Sequence, residues 1–214
     1  MANASGSSRT GYWEWTFSGE SANHRYTIPG ILQALGDLRA ARVLDIGCGN
    51  GAVTARVAQA GYQATGIDFT ETGIERARAS FPDIQLRIHD IANPLPQDMR
   101  GQFDAVLSCD VIEHLFLPRD LLVRAREALT PNGHVVIAPP YHGYWKNLSL
   151  AVLNRFDQHW TPKSDYGHIK FFSIRTLREL LDECGFDPIA TTKVGRIPPL
   201  APTMIATGRL RPLP

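Results

Sequence analysis

The sequence of 214 residues has few cysteines, no long apolar run and almost no net charge. Its cysteines, Cys48, Cys109 and Cys184, are odd in number, widely spaced and without a CxxC pair. This pattern excludes a disulfide framework and a cysteine zinc site, and it predicts a reducing, cytoplasmic location. No apolar stretch approaches the roughly 18 residues that a membrane helix needs, so we expect no membrane span. The amino terminus also lacks the apolar segment of a secretory signal.

The balance of charges limits the choice of ligand. Lys and Arg number 22 and Asp and Glu number 21, which leaves a formal net charge of +1 at pH 7. Proteins that bind nucleic acids usually carry an excess of basic residues on one face. We therefore predict a small-molecule substrate and disfavour nucleic acid, and the sequence leaves the oligomeric state open.

Short apolar runs alternate with amphipathic segments along most of the chain. The runs predict strands at 42–46, 63–67, 84–89, 103–108, 134–138, 186–194 and 203–207. The amphipathic segments predict helices at 21–38, 52–60, 71–80, 121–129 and 173–184. Thr130–Gly133 has the composition of a turn between the fourth of these helices and the strand after it. The alternation predicts an α/β fold, a doubly wound and mostly parallel sheet with helices on both faces.

Two segments interrupt this alternation. Residues 1–20 are polar and then aromatic, and they predict a flexible amino-terminal tail and entry segment before a single domain at 21–214. Residues 139–167 are too long for a plain connection, which predicts a lid or substrate-binding insert. The aromatic and histidine side chains of this insert either line a pocket or pack as core: Tyr141, His142, Tyr144, Trp145, Phe156, His159 and Trp160. Trp13, Trp15 and Tyr26 are candidates to close the same cavity.

The most informative segment is a glycine-rich turn directly after the first predicted strand. Gly47-x-Gly49 leads into a helix, where the backbone can approach a ligand without an intervening Cβ. With Asp68 about 20 residues further on, the pattern also fits a dinucleotide site. The negative charge of Asp45 would repel a pyrophosphate but attract a ligand that carries a sulfonium and an ammonium group. The alternative is that Asp45 only forms hydrogen bonds within the turn or caps the next helix. S-adenosylmethionine carries both cationic groups.

Other polar and apolar residues near the predicted strand ends extend this interpretation. Asp68 is placed to accept hydrogen bonds from ribose hydroxyls, and Asp90 with Ile91 offers a carboxylate and an apolar side chain to an adenine ring. Cys48 is interpreted as a small packing residue beside the cofactor. Arg25 is a candidate partner for a cofactor carboxylate.

Four segments in this order resemble the motifs of class I, Rossmann-like S-adenosylmethionine-dependent methyltransferases: DIGCGNG, GIDFT, HDIANPLP and FDAVLSCDVIEHL. The resemblance covers about 42–136. It implies a seven-stranded sheet whose last strand is antiparallel, and S-adenosyl-L-methionine as the cofactor. It also implies cofactor contacts from Gly47, Gly49, Asp68, Phe69, Asp90, Ile91 and Cys109.

The segment from Asp110 to His114 is similar to the ubiquinone-biosynthesis O-methyltransferase subgroup, which has Glu where this chain has Asp110. The resemblance implies methyl transfer to a small molecule, with an oxygen acceptor favoured. A hydroxyl acceptor needs a base, and His114 and His142, just beyond predicted strand ends, are the candidates. An RNA or protein methyltransferase, a non-catalytic S-adenosylmethionine-binding module and a nicotinamide dehydrogenase stay open as alternatives.

A divalent metal is the last open question from the sequence. By resemblance to methyltransferases with an ExxEH pattern, Asp110, Glu113 and His114, together with His168, could hold Mg²⁺ beside an acceptor hydroxyl. Asp110 is shorter than the Glu of that pattern, and similar strings occur in methyltransferases that need no metal. We therefore predict no metal, and regard these four residues as the ligands if one is bound.

Overall fold

The computed structural model describes residues 19–160, 167–196 and 200–212. Its helices are α1 (His24–Asp37), α2 (Ala52–Gln59), α3 (Glu71–Ser80), α4 (Pro118–Ala128), α5 (Tyr144–Val152), α6 (Phe156–Trp160) and α7 (Ile174–Glu183). Its strands are β1 (Arg42–Ile46), β2 (Gln63–Asp68), β3 (Gln85–Ile88), β4 (Phe103–Cys109), β5 (Leu129–Ala138), β6 (Phe186–Val194) and β7 (Thr203–Leu210). Short 3-10 helices lie at Gln97–Met99 and Ile112–His114.

The strands form one sheet in the order β3-β2-β1-β4-β5-β7-β6. Strands β1 to β5 are parallel, and β7 runs antiparallel to both of its neighbours, β5 and β6. The predicted α/β class, the seven strands and the antiparallel last strand are confirmed. Because β6 runs in the same direction as β5, the carboxyl ends of β1 to β6 meet at one edge of the sheet.

The core lies on both faces of this sheet because successive strand residues point to opposite faces. In β1, Val43 packs with Ile31 of α1 and Val53 of α2. The next residue, Leu44, belongs to the opposite cluster, which includes Leu121 of α4 and Leu177 of α7. This arrangement leaves the strand ends accessible for a binding site.

The prediction that Thr130–Gly133 is a turn between a helix and a strand is wrong, because β5 already begins at Leu129. Leu129 pairs with Phe103 and His134 pairs with Ala105, so the four residues form a bulge inside the strand. Asn132 within it has a φ of +63°, a conformation that Asn tolerates better than most residues.

The insert at 139–167 has structure of its own in the part that the structure describes. It contains α5 and α6, which the aromatic composition did not predict. The end of the insert, 161–166, and most of the predicted tail, including Trp13 and Trp15, lie outside the described residues. Among the helices of the described ranges, none combines the length and the apolar character that crossing a bilayer demands.

Candidate active site

The glycine turn after β1 is fixed by hydrogen bonds to β2. The backbone amides of Gly47 and Cys48 both donate to the Ile67 carbonyl oxygen, at 2.8 and 3.0 Å. Gly47 has a φ of +81°, and a Cβ built at this position would lie 2.4 Å from Cγ2 of Val111. Glycine is therefore required here for two independent reasons, backbone conformation and space.

Asp68 organises the same turn from the end of β2. Its Oδ2 accepts a hydrogen bond from the Gly49 amide at 2.9 Å. Its Oδ1 accepts from the amide and the hydroxyl of Thr70, at 2.8 and 2.5 Å. Burial raises the pKa of Asp68, and the bonds from Thr70 and Gly49 oppose that rise. Since a carboxylate offers about four lone-pair sites, Asp68 retains acceptor capacity for ligand hydroxyls.

Asp45 is a buried carboxyl group, 2% exposed, at the end of β1. Its Oδ2 accepts a hydrogen bond from the Thr54 hydroxyl of α2 at 2.7 Å. Burial raises its pKa to about 7, the Thr54 bond opposes this, and the negative charge of Asp68 adds to it. The ionised form is therefore costly without a positive charge nearby, and a cationic ligand at this strand end would stabilise it.

This raised pKa predicts a pH dependence of cofactor binding. We propose that Asp45 faces the sulfonium of the cofactor. Below about pH 7 it would then have to lose a proton before it attracts that group, and the affinity for S-adenosylmethionine is expected to fall toward about pH 5.5, by up to about tenfold per pH unit. Calorimetric titrations of the wild type and of Asp45→Asn measure the effect. The variant should bind more weakly and with a flatter profile, and identical slopes for the two proteins would contradict the prediction.

Most of the remaining predicted cofactor residues follow strand ends at the same edge of the sheet. The His89 amide donates to the Asp68 carbonyl at 2.8 Å, which brings the end of β3 beside β2. Asp90 then accepts from the Ala92 amide, and Ile91 packs on the core. Cys48 is buried, Phe69 is partly buried, and burial together with the charge of Asp110 raises the pKa of Cys109. Arg25 is exposed on α1.

A second group of titratable side chains follows β4. Glu113 is 1% exposed, and neither carboxylate oxygen has a hydrogen-bond partner among the described residues. The Nε2 atoms of His114 and His168 lie 3.9 and 4.0 Å from its Oε1. The two imidazole rings meet edge to face, with centroids 4.9 Å apart. The structure thus brings together three of the four candidate metal ligands, and we call them the Glu113 cluster.

The segment that carries His168 is attached to Glu113 through the backbone. The amides of Ile169 and Lys170 both donate to the Glu113 carbonyl oxygen at 2.9 Å. Burial, and after it the charge of Asp110, raises the pKa of Glu113 well above its ordinary value. A cation or a protonated imidazole beside the carboxylate would offset this cost.

Asp110 does not join the Glu113 cluster as a ligand. It has a φ of +53°, and its side chain lies instead with His24 and Cys109. Its Oδ2 accepts a hydrogen bond from Asn23 of α1 at 2.7 Å. Burial raises its pKa to about 6, and the Asn23 bond opposes that rise. Asp110 precedes the 3-10 helix that contains Glu113, which begins at Ile112.

His142 lies deeper than His114, the other candidate base. Its ring is buried and meets Phe171 edge to face, with centroids 5.0 Å apart. Its amide donates to the Phe172 carbonyl at 2.8 Å, which joins the start of the insert to the segment that carries His168. Tyr144, Trp145 and Trp160 are exposed, and the ring of Trp160 contacts that of Phe171. The side chain of His159 lies outside the described residues.

Three site residues were missed by sequence reasoning. Thr70 bonds Asp68 from two residues away, and the Asp-x-Thr pattern of a local side-chain turn was a usable signal. Thr54 and Asn23 reach Asp45 and Asp110 through tertiary packing, with no local pattern to indicate them.

The comparisons with known proteins identify the family. The family model described as a methyltransferase domain matches residues 19–191, and the chain belongs to this family. The prediction of a class I methyltransferase with S-adenosylmethionine as its cofactor is confirmed at this level.

Two curated relatives are both named ubiquinone biosynthesis O-methyltransferase. The protein from Roseobacter denitrificans is 32% identical over 152 residues, which cover 69% of this chain and 60% of the relative. The protein from Rhodopseudomonas palustris is 32% identical over 167 residues, which cover 77% of this chain and 65% of the relative. The matched region thus spans less than two thirds of each relative.

Solved structures show the same fold at lower identity. Magnesium protoporphyrin IX methyltransferase from Synechocystis, with bound S-adenosylhomocysteine, has a TM-score of 0.65 and 19% identity, covering 86% of this chain and 82% of its own. The 1,6-didemethyltoxoflavin-N1-methyltransferase from Burkholderia thailandensis has a TM-score of 0.66 and 21% identity. The match covers 89% of this chain and 79% of that methyltransferase. Since these neighbours differ in acceptor, the fold does not identify the acceptor of this chain.

Proposed function

We propose that this protein transfers the methyl group of S-adenosylmethionine to a hydroxyl oxygen of a small-molecule acceptor. The observation that carries the proposal is the Glu113 cluster, which places a buried carboxylate and two imidazoles one strand away from the glycine turn. Methyl transfer to nitrogen or sulfur often needs no base, whereas a hydroxyl must lose a proton. The names of the curated relatives support oxygen as the acceptor atom.

The cofactor, when bound, supplies a methyl group on a sulfonium that is already an excellent leaving group. The residues of the chain hold and orient it. Asp68 would accept hydrogen bonds from the ribose, Asp90 and Ile91 would bind the adenine, and Asp45 would supply negative charge toward the cationic end. Gly47 and Gly49 leave room for the close approach of the backbone. Catalysis then depends on placing the acceptor oxygen in line with the methyl carbon and excluding water.

The Glu113 cluster prepares the acceptor. His114 is partly exposed and accepts the hydroxyl proton, while Glu113 beside it stabilises the imidazolium that forms. His168 lies beside the same carboxylate oxygen, Oε1, at 4.0 Å, and helps to position it. His142 is a weaker candidate for the base because its ring is buried against Phe171.

A divalent ion held by Glu113, His114 and His168 is the second candidate for the same step. One ligand atom from each residue lies within 4.8 Å of the others, and the buried carboxylate oxygens make no hydrogen bond to the described residues, so the donor set fits an ion. Such an ion would lower the pKa of an acceptor hydroxyl. His114 would then act as a ligand and not as the base.

The test is an assay with matched acceptors. Catechol, aniline and thiophenol present oxygen, nitrogen and sulfur on the same ring, and total transfer RNA represents the nucleic-acid alternative. We expect S-adenosylhomocysteine to form with catechol, together with a monomethyl ether detected by mass spectrometry. Preferential methylation of aniline, thiophenol or RNA would contradict the proposal.

A further inference from the structure

One side-chain hydrogen bond joins the two ends of the glycine-rich turn. Asp45 is the residue before the last of β1, and Thr54 lies in the first turn of α2. The Thr54 hydroxyl donates to Oδ2 of Asp45 at 2.7 Å, across nine positions of the sequence. The bond therefore fixes the carboxyl group of Asp45 relative to the helix that follows the turn.

Both partners of this bond are removed from water. Thr54 is 0% exposed and Asp45 is 2% exposed. A buried polar group without a hydrogen-bond partner costs free energy, and a buried charge without one costs more. Because solvent does not reach this carboxyl group, its donor must come from the chain, and Thr54 provides one.

The titratable groups near Asp45 are negative or neutral in the residues that the structure describes. Asp68 at the end of β2 adds negative charge. The thiols of Cys48 and Cys109 also interact with Asp45, and burial raises the pKa of both thiols, so they stay neutral. No described Lys, Arg or His forms an ion pair with Asp45. Thr54 thus opposes the burial that raises the pKa of Asp45.

A hydroxyl donor favours the ionised form of its carboxyl partner. Hydrogen bonds to a charged group are roughly twice as strong as bonds between neutral groups, so Thr54 stabilises the carboxylate more than the protonated acid. The bond also limits rotation of the carboxyl group, because Oδ2 is held in place. The direction in which Asp45 presents its charge is therefore fixed as well.

We propose that Thr54 is a positioning residue, which holds Asp45 as an oriented carboxylate and thereby gives the chain a preference for S-adenosylmethionine over S-adenosylhomocysteine. The inference rests on the assignment of Asp45 to the cationic end of the cofactor and goes beyond the proposed reaction. Both compounds carry an ammonium and a carboxylate, but only S-adenosylmethionine carries a sulfonium. A carboxylate at this strand end attracts the compound with the additional positive charge more strongly. This difference favours the exchange of product for fresh cofactor after each turnover.

The experiment measures the binding of both compounds by calorimetry between about pH 5.5 and 8.5. Thr54→Val keeps the shape of the side chain and removes the hydroxyl. The midpoint of the pH profile for S-adenosylmethionine should rise by about one pH unit, the difference between a hydrogen bond to a charged and to a neutral group. At pH 7 the affinity for S-adenosylmethionine should fall about five- to tenfold. The preference over S-adenosylhomocysteine should fall about threefold or more.

Two control variants isolate the hydroxyl of Thr54. Thr54→Ser keeps the donor and should restore both the pH profile and the preference. Thr207→Val removes another buried threonine hydroxyl, which accepts from the Ala190 amide at 3.2 Å between β6 and β7. This variant should bind both compounds as the wild type does.

A double-mutant cycle tests whether Thr54 acts through Asp45. In an Asp45→Asn background, Thr54→Val should cause no further loss of S-adenosylmethionine affinity, because the carboxylate on which it acts is absent. A further loss of about fivefold or more in this background would overturn the proposal.

Two other results would also overturn it. One is a folded Thr54→Val protein with the wild-type pH profile and preference. The other is an equal, pH-independent loss for both compounds, which indicates a purely structural contact. If Thr54→Val does not fold, Thr54→Ala removes the same hydroxyl without placing a methyl group against the carboxyl group, and the same outcomes apply. None of these measurements uses an acceptor, so a failure of the proposed oxygen methylation would leave them unchanged.

Discussion

Replacement of Glu113 by Gln is expected to lower turnover of a hydroxyl acceptor by about 10²- to 10⁴-fold, the range for loss of positioned proton transfer. Gln has the same shape as Glu but lacks the negative charge that stabilises a cation at the Glu113 cluster. The expectation holds whether the cation is an imidazolium or a metal ion. Steady-state rates with catechol, at saturating S-adenosylmethionine, measure the effect.

Two controls separate this loss from misfolding. Glu179→Gln removes a carboxylate from an exposed ion pair on α7 and should keep wild-type turnover. Because burial raises the pKa of Glu113, its ionised form destabilises the fold, and Glu113→Gln should melt no lower than the wild type. Wild-type turnover in a folded Glu113→Gln protein would contradict the assignment of this cluster to the reaction.

Exhaustive chelation then distinguishes the two forms of the mechanism. Undiminished turnover after chelation would exclude the metal-dependent mechanism and leave His114 as the base. Turnover that is lost on chelation and restored by Mg²⁺ or Mn²⁺, together with an inactive His168→Ala protein, would establish the ion. Calorimetric titration with Mg²⁺ provides a readout that does not depend on activity.

Gly47→Ala is expected to abolish measurable cofactor binding and to destabilise the fold more than an ordinary glycine substitution. The alanine must adopt a φ of +81°, and its Cβ would lie 2.4 Å from Cγ2 of Val111. Val111 directly precedes the 3-10 helix that contains Glu113, so relief of the overlap disturbs both groups of the site. The effect therefore combines backbone strain with displacement of a neighbouring side chain.

Gly61→Ala is the matched control for backbone strain. Gly61 also has a positive φ, +97°, but nothing lies within 4 Å of its Cβ position. This variant should lose about 1–2 kcal/mol of unfolding free energy, the ordinary cost of a left-handed residue, and should bind cofactor normally. Denaturant unfolding and calorimetry compare the two. Equal losses of stability and normal binding in both variants would show that the Val111 contact is unimportant.

The sequence predicted the sheet and the cofactor edge because both depend on local patterns. Apolar runs and the glycine-rich segments near them predict the strands β1 to β5. Because these strands are parallel, the residues that follow them must lie together at the edge of the sheet where the strands end. Asp45 and Asp68 could be placed in this way. The bulge in β5 escaped prediction because Thr130–Gly133 has turn composition, and local composition does not reveal that Leu129 already pairs with Phe103.

The acceptor side could be predicted only as a set of candidates. His168 meets Glu113 through backbone hydrogen bonds from a segment far along the chain, and no spacing rule connects them. Asp110 was grouped with Glu113 by proximity in sequence, but its left-handed backbone directs it toward Asn23 and His24.

The position of β7 between β5 and β6 affects the order in which the chain can fold during synthesis. Strand β6 leaves the ribosome before β7, which is its pairing partner in the sheet, so it has no template at first. Until Thr203–Leu210 emerges, β5 presents an unpaired edge of a parallel sheet that is otherwise complete. Such edges recruit strands from other molecules. Strand β7 thus completes the sheet, and before it is made the edge of β5 is open to pairing with other chains.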